Sequence, residues 1–218
     1  MTSTRMIGNP KYWFVATAAL GLFMMGCQSG GVGDPCVPED EYQTEFGGYS
    51  VKEVNIESRS FQCTTRVCLV NHFQGRVTCP YGQTSADIAQ YPDAKNPHRC
   101  RIPGTDGSDK NDVIKAPVKA QLAGSAAQGG RRADDTVYCS CRCNGPDQNA
   151  RYCQCPSGYE CTKLVQDLGS GLGSTQLAGS YCVRNGTKYN PDVATGPTCQ
   201  FGDSKDSAQY CGNDGKNP

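Results

Sequence analysis

The sequence is short of large apolar side chains, and that shortage constrains how it can fold. After the first 26 residues, Leu, Ile, Val and Phe supply only 27 of the 192 that remain, about 14%. A chain with an ordinary core carries roughly 20% or more. Trp13 is the only tryptophan, and His72 and His98 are the only histidines. So few histidines leave a Ser-His-Asp or Cys-His arrangement with two bases to choose from, and neither stands in a recognisable catalytic setting. Cys-x-x-Cys-His is absent, which excludes c-type haem attachment; Cys-x-x-Cys is absent too, which weighs against thiol exchange. No basic patch points to nucleic acid. The Gly169–Gly173 loop lacks the Gly-Lys-Ser/Thr of a phosphate cradle and reads as a flexible segment. No residue pattern implies a cofactor or identifies a catalytic residue, so a non-enzymatic protein is expected. An enzyme built on an unrecognised arrangement is the weakest alternative.

The longest apolar run, 12–26, spans about fifteen residues, short of the roughly twenty that cross a membrane. Arg5 and Lys11 precede it, giving the layout of a secretory leader. It ends Leu22-Phe23-Met24-Met25-Gly26-Cys27, followed by small residues. This end resembles the signal of bacterial lipoproteins, in which the leader is cut before a cysteine that then carries acyl chains. Gly26 and Cys27 match; Met24 and Met25 replace the usual Leu and small residue. The resemblance implies a leader at 1–26, lipidation of Cys27 and attachment to a membrane through acyl chains, two or more of which anchor stably. Gln28, where an inner-membrane retention signal would have Asp, implies an outer-membrane lipoprotein. The chain as a whole looks like the cysteine-rich envelope lipoproteins of deltaproteobacteria. An envelope protein is then the expected class of partner.

Loss of the leader leaves nineteen Lys and Arg against twenty-one Asp and Glu, a net charge of about −2. It also leaves the feature that compensates for the thin core. Fifteen cysteines are present; with Cys27 lipidated, fourteen remain, enough for seven disulfides in an oxidising compartment. Each bridge typically stabilises by about 2–4 kcal/mol. The expected fold is small, disulfide-rich and mainly β, with short hairpins in two cross-linked modules and little helix.

Spacing divides the chain into a tether at 27–35, an N-terminal cysteine-rich β module at 36–100, a linker or long loop at 101–136, a central hairpin module at 137–184 and a tail at 185–218. The first module holds Cys36, Cys63, Cys68, Cys79 and Cys100. The second holds Cys139, Cys141, Cys143, Cys153, Cys155, Cys161 and Cys182; the tail holds Cys199 and Cys211. Five cysteines cannot all pair among themselves, so at least one bridge must leave the first module. Cysteines two apart in a strand are poorly placed for each other, so Cys139, Cys141 and Cys143 each need a distant partner.

Local patterns predict strands at 49–52, 54–57, 60–70, 76–79 and 181–183, and a helical turn or two at 85–91. Residues 139–143 and 151–155 are expected to pair as a hairpin across Asn144-Gly145-Pro146-Asp147. Cys161–Leu168 reads as a short helix. Glu39, Asp40 and Glu41 read as a solvated acidic face. Cys153–Cys161 is similar to the C-terminal part of an EGF-like module over nine residues, which implies a bridged hairpin.

Cys-x-Cys-x-Cys beside Cys-x-Cys is also thiolate-cluster spacing, suited to Zn²⁺ or Cu⁺. A metal-binding protein is therefore the main alternative. A mixed zinc site from Cys68, His72, His98 and Cys100, and a Ca²⁺ site from Asp106, Asp109 and Asp112, are weaker variants.

Overall fold

The computed structural model describes residues 30–93, 95–124, 129–167, 176–192, 196–200 and 211. The leader, Cys27 and the Gly169–Gly173 loop lie outside them. Two three-stranded antiparallel sheets form the fold. The first comprises β1 (Val54–Glu57), β2 (Val67–Asn71) and β3 (Val137–Ser140), in that order. The second comprises β4 (Arg142–Asn144), β5 (Tyr159–Val165) and β6 (Gly179–Arg184), ordered β4-β6-β5. Among the described residues, two short helices, α1 (Ser85–Gln90) and α2 (Ala133–Thr136), complete the regular elements with a 3₁₀ turn at Glu39–Tyr42. The fold is thus mainly β, disulfide-rich and poor in helix, as its composition indicates.

The first sheet joins the N-terminal module to the start of the central one. Its central strand β2 reads Val-Cys-Leu-Val-Asn, a continuous apolar run of the kind that is buried on both faces. Side chains alternate. Cys68 and Val70 of β2, with Val137 and Cys139 of β3, face a cluster with Cys36, Cys63, Tyr49 and Phe73. Leu69 and Tyr138 turn the other way and meet Val183 of β6, flanked by Ile56, Tyr159 and Leu164. Only Cys141 separates β3 from β4, so the chain passes there directly from one sheet to the other. Ser140 Oγ donates to the Cys182 carbonyl at 2.8 Å, and Arg184 N donates to the Tyr138 hydroxyl at 2.8 Å. Both bonds cross that seam.

Several local expectations change in context. Residues 60–66 form a loop before β2, and residues 76–79 form a turn with one isolated bridge. Tyr49 exchanges two backbone bonds with Gly75 and goes no further as a strand. In place of the helix expected from Cys161, residues 159–165 form β5, paired along β6 from Tyr159↔Arg184 to Val165↔Gly179. Its helix-like spacing is overridden by a long-range ladder and by a bridge from Cys161. Helix α1 forms where predicted, because Thr84 and Asp87 cap each other reciprocally.

The tether is shorter than it looks. Gly30 N donates to the Gln62 carbonyl at 2.7 Å, and Thr64 N donates to the Gly30 carbonyl at 2.9 Å. Gly33 and Asp34 bond both sides of Cys139. Residues 30–35 therefore belong to the folded body.

Residues 101–124 carry no named strand or helix, yet they pack inside. Ile114, Gln121 and Leu122 are buried, and Val118 closes a cluster with Cys79 and Cys100. Isolated backbone bridges satisfy some of their polar groups, and polar side chains supply donors to carbonyls the bridges leave over. Arg99 donates to the carbonyls of Ile88, Tyr91 and Ile114. Gln83 donates to those of Ile114 and Ala116. At Gly82 (φ 66°) the 118–120 backbone comes so close that a Cβ would collide with it. The tail docks on the same stretch, with Cys199 N donating to Gln121 O at 2.9 Å.

Candidate functional site

All fourteen cysteines after Cys27 are paired. The first module closes Cys36–Cys68 and Cys79–Cys100 on itself. Cys63, the odd member, crosses to Cys139, with a Cα separation of 5.4 Å. The second module closes Cys141–Cys153, Cys143–Cys161 and Cys155–Cys182, and the tail closes Cys199–Cys211. Parity required one crossing bridge, and one is formed. Cys139, Cys141 and Cys143 take three different partners, none of them a neighbour.

The predicted hairpin is replaced by a different arrangement. Only one backbone bond, Cys153 N to Arg142 O at 3.1 Å, joins its two halves, and β4 pairs with β6 instead. Asp147 gathers bonds from Asn149 N, Ala150 N and the Tyr152 hydroxyl, which rounds residues 147–152 into a turn too broad for a ladder. The bridges do the rest. Cys161 and Cys182 stand directly opposite in the β5–β6 register without bonding each other. Each reaches out of the ladder, to Cys143 on β4 and to Cys155 in the loop, so two bridges tie one strand pair to its surroundings.

The sulfur cluster at the centre of this module is the densest chemical feature of the described residues. Cys182 Sγ lies 3.6 Å from Cys141 Sγ and 3.8 Å from Cys153 Sγ. Two trios, Cys141/Cys153/Cys182 and Cys143/Cys155/Cys182, each hold three sulfurs within 4.8 Å, and Cys36/Cys63/Cys139 forms a third. In disulfides these sulfurs carry no thiolate, and thiolate is what zinc or copper requires. The geometry is therefore a scaffold when oxidised and a ligand cluster only when reduced.

The histidines are not brought into such a group. His72 donates from Nδ1 to the Val51 carbonyl at 3.0 Å and stacks on Tyr189 at 4.0 Å between ring centres. Burial is the main cause holding its pKa below the usual value; the Val51 bond opposes this and the Arg131 charge adds to it. His98 stacks on Tyr91. Cys68 and Cys100, their expected companions in a mixed zinc site, are consumed by Cys36 and Cys79. Asp106, Asp109 and Asp112 accept bonds from backbone N–H groups of their own turns.

The buried charges escaped prediction, Glu41 and Arg131 among them. Glu41, expected on a solvated face, is fully buried. Its carboxylate accepts from Val77 N, Thr78 N and Thr78 Oγ1. Burial raises its pKa, while Arg76 and those bonds oppose the rise. Arg131 is also buried and spends its donors on the carbonyls of Asn71, His72 and Thr187. Burial brings its pKa down to about 10. Read as sequence, neither residue differs from its neighbours, exposed Glu39 and half-buried Arg132. Beside Glu39 and Asp40 a cavity of about 240 Å³ opens, lined also by Tyr49, Asn55 and Glu57.

Fold and site define a small, disulfide-framed β protein. The chain matches no protein family, and no curated protein or solved structure is similar to it. Seven bridges belong to an oxidising, extracytoplasmic setting. Among the described residues, no helix is long and apolar enough to cross a membrane.

Proposed function

We propose that the chain is a lipoprotein of the bacterial outer membrane, anchored through acyl chains on Cys27. In this reading it is a non-catalytic envelope protein that acts in binding, adhesion or envelope structure, with another envelope protein as its partner. The fourteen paired cysteines carry the reading. They leave one cysteine over, and it is the one that stands where a lipoprotein signal places its acylated residue. The seven bridges, wrapped around a thin core, suit a domain that must persist outside the cytoplasm. Mass spectrometry of the mature N-terminal peptide is the test. Cleavage before Cys27 with acyl groups on it is expected; an unmodified Cys27 or cleavage elsewhere refutes the anchor.

The sulfur trios around Cys182 favour metal binding as the second reading, with Cys141, Cys143, Cys153 and Cys155 as thiolates in a reduced form. Thiol counting on unreduced, denatured protein separates the two. Four or more free thiols together with bound zinc or copper support the metal protein, and near-zero thiols rule it out.

A further inference from the structure

Phe61 is the most exposed large hydrophobic side chain among the described residues, at 81%. A single exposed aromatic needs no explanation in itself. Its setting is what points to a ligand. Phe61 sits on the 60–66 loop, which is fixed at both ends. Ser60 N donates to the Arg66 carbonyl at 3.0 Å, and Arg66 N donates to the Cys63 carbonyl at 3.0 Å. Arg66 holds a left-handed backbone, φ 64°. The Cys63–Cys139 bridge bolts the loop to β3. Gln62 bonds both polar groups of Val37, accepting from its N and donating to its O. The ring is therefore displayed from a rigid platform. The Arg66 guanidinium lies 4.2 Å over the ring centre, and Arg59 and Arg66 are both exposed.

The chain beyond the fold starts at this same loop. Gly30 pairs in parallel with Cys63 and hydrogen-bonds Gln62 and Thr64. Only two residues, Gln28 and Ser29, separate Gly30 from Cys27, a reach of at most about 11 Å. An acyl anchor on Cys27 then holds the 60–66 loop against the bilayer surface. An aromatic ring flanked by cations is the composition that suits the bilayer interface, where rings sit at headgroup level and Arg meets phosphate.

We propose that the 60–66 loop is a membrane-contact tip. Phe61 enters the interfacial layer and Arg59 and Arg66 meet anionic headgroups, so that the domain takes one orientation on the surface. This rests on the acylated Cys27 proposed above.

The mature chain lacks tryptophan, so Phe61→Trp supplies a single reporter at an exposed position that the fold does not need filled. The full chain, expressed with its leader and checked by mass for acylation, is reconstituted into phosphatidylethanolamine/phosphatidylglycerol vesicles with and without brominated acyl chains. In the acylated protein, emission is expected to shift to the blue and to be quenched about twofold or more by the brominated lipids, as for an indole at the interface. Acylated protein with unshifted, unquenched emission overturns the contact and leaves the anchor standing. An unacylated Cys27 overturns both.

Discussion

Removing the one bridge that crosses between modules, with Cys63→Ala and Cys139→Ala together, is the perturbation that weighs most on this fold. The two cysteines are 76 residues apart. The Cys79–Cys100 bridge cuts 21 residues out of that path, leaving an effective loop of about 55. Loop-closure entropy for such a loop amounts to about 4 kcal/mol. Both sulfurs lie in the cluster shared by β2 and β3, at 1% and 0% exposure, so lost packing adds to the effect. By contrast Cys199 and Cys211 close a loop of only 12, worth about 3 kcal/mol at most by the same relation. Urea unfolding without reductant, followed by circular dichroism, compares the two double variants. The crossing pair should cost about 4 kcal/mol and raise the denaturant slope, because a freer unfolded chain exposes more surface. A loss below about 1 kcal/mol, within the range of ordinary surface substitutions and small core changes, would show that the β2–β3 ladder holds the modules together without the bridge.

Three further outcomes follow from the buried polar groups and the close loop contact. Burial lifts the folded pKa of Glu41 above its ordinary 4.5, so the folded state binds that proton more tightly than the unfolded chain does. Its contribution to stability is then greatest below about 4.5 and is lost as pH rises through the raised folded value; Glu41→Gln should remove that part of the slope of unfolding free energy against pH, and an unchanged slope contradicts it. Arg131→Met strips the donors from the Asn71, His72 and Thr187 carbonyls and should cost about 3 kcal/mol or more, seen as a large fall in Tm. Gly82→Ala forces a Cβ against the Val118 carbonyl and should cost more, by about 1–3 kcal/mol, than Gly158→Ala, where φ is also positive but the space is open. Equal losses at the two glycines would deny the close packing of 118–120.

What was legible in the sequence is what local chemistry or counting determines. The odd cysteine of the first module forced a crossing bridge, and Cys63–Cys139 is that bridge. Helical turns read at 85–91 became α1, the alternation at 54–57 became β1, and the short strand read at 181–183 lies within β6. Illegible were the features that depend on distant partners. Cys161-Thr-Lys-Leu-Val gave no sign that β6, twenty residues on, would draw it into a strand. The partner of β4 lay farther off still, so the turn at Asn144–Asp147 was mistaken for the head of a hairpin. Connectivity among the seven cysteines of the second module could not be enumerated to one answer by spacing. Residues 101–124 looked like a linker because their support comes from Arg99, Gln83 and Gln74, polar side chains that a sequence pattern assigns to solvent. Glu41 among its acidic neighbours misled for the same reason.

The central claim is that fourteen cysteines frame the domain and the fifteenth anchors it. The intact mass of the mature protein, extracted from its membrane and alkylated without reduction, tests both halves at once. The account predicts a chain beginning at Cys27, carrying acyl mass and no alkyl adduct. Alkylation at any of the fourteen, or a Cys27 without lipid, would contradict it.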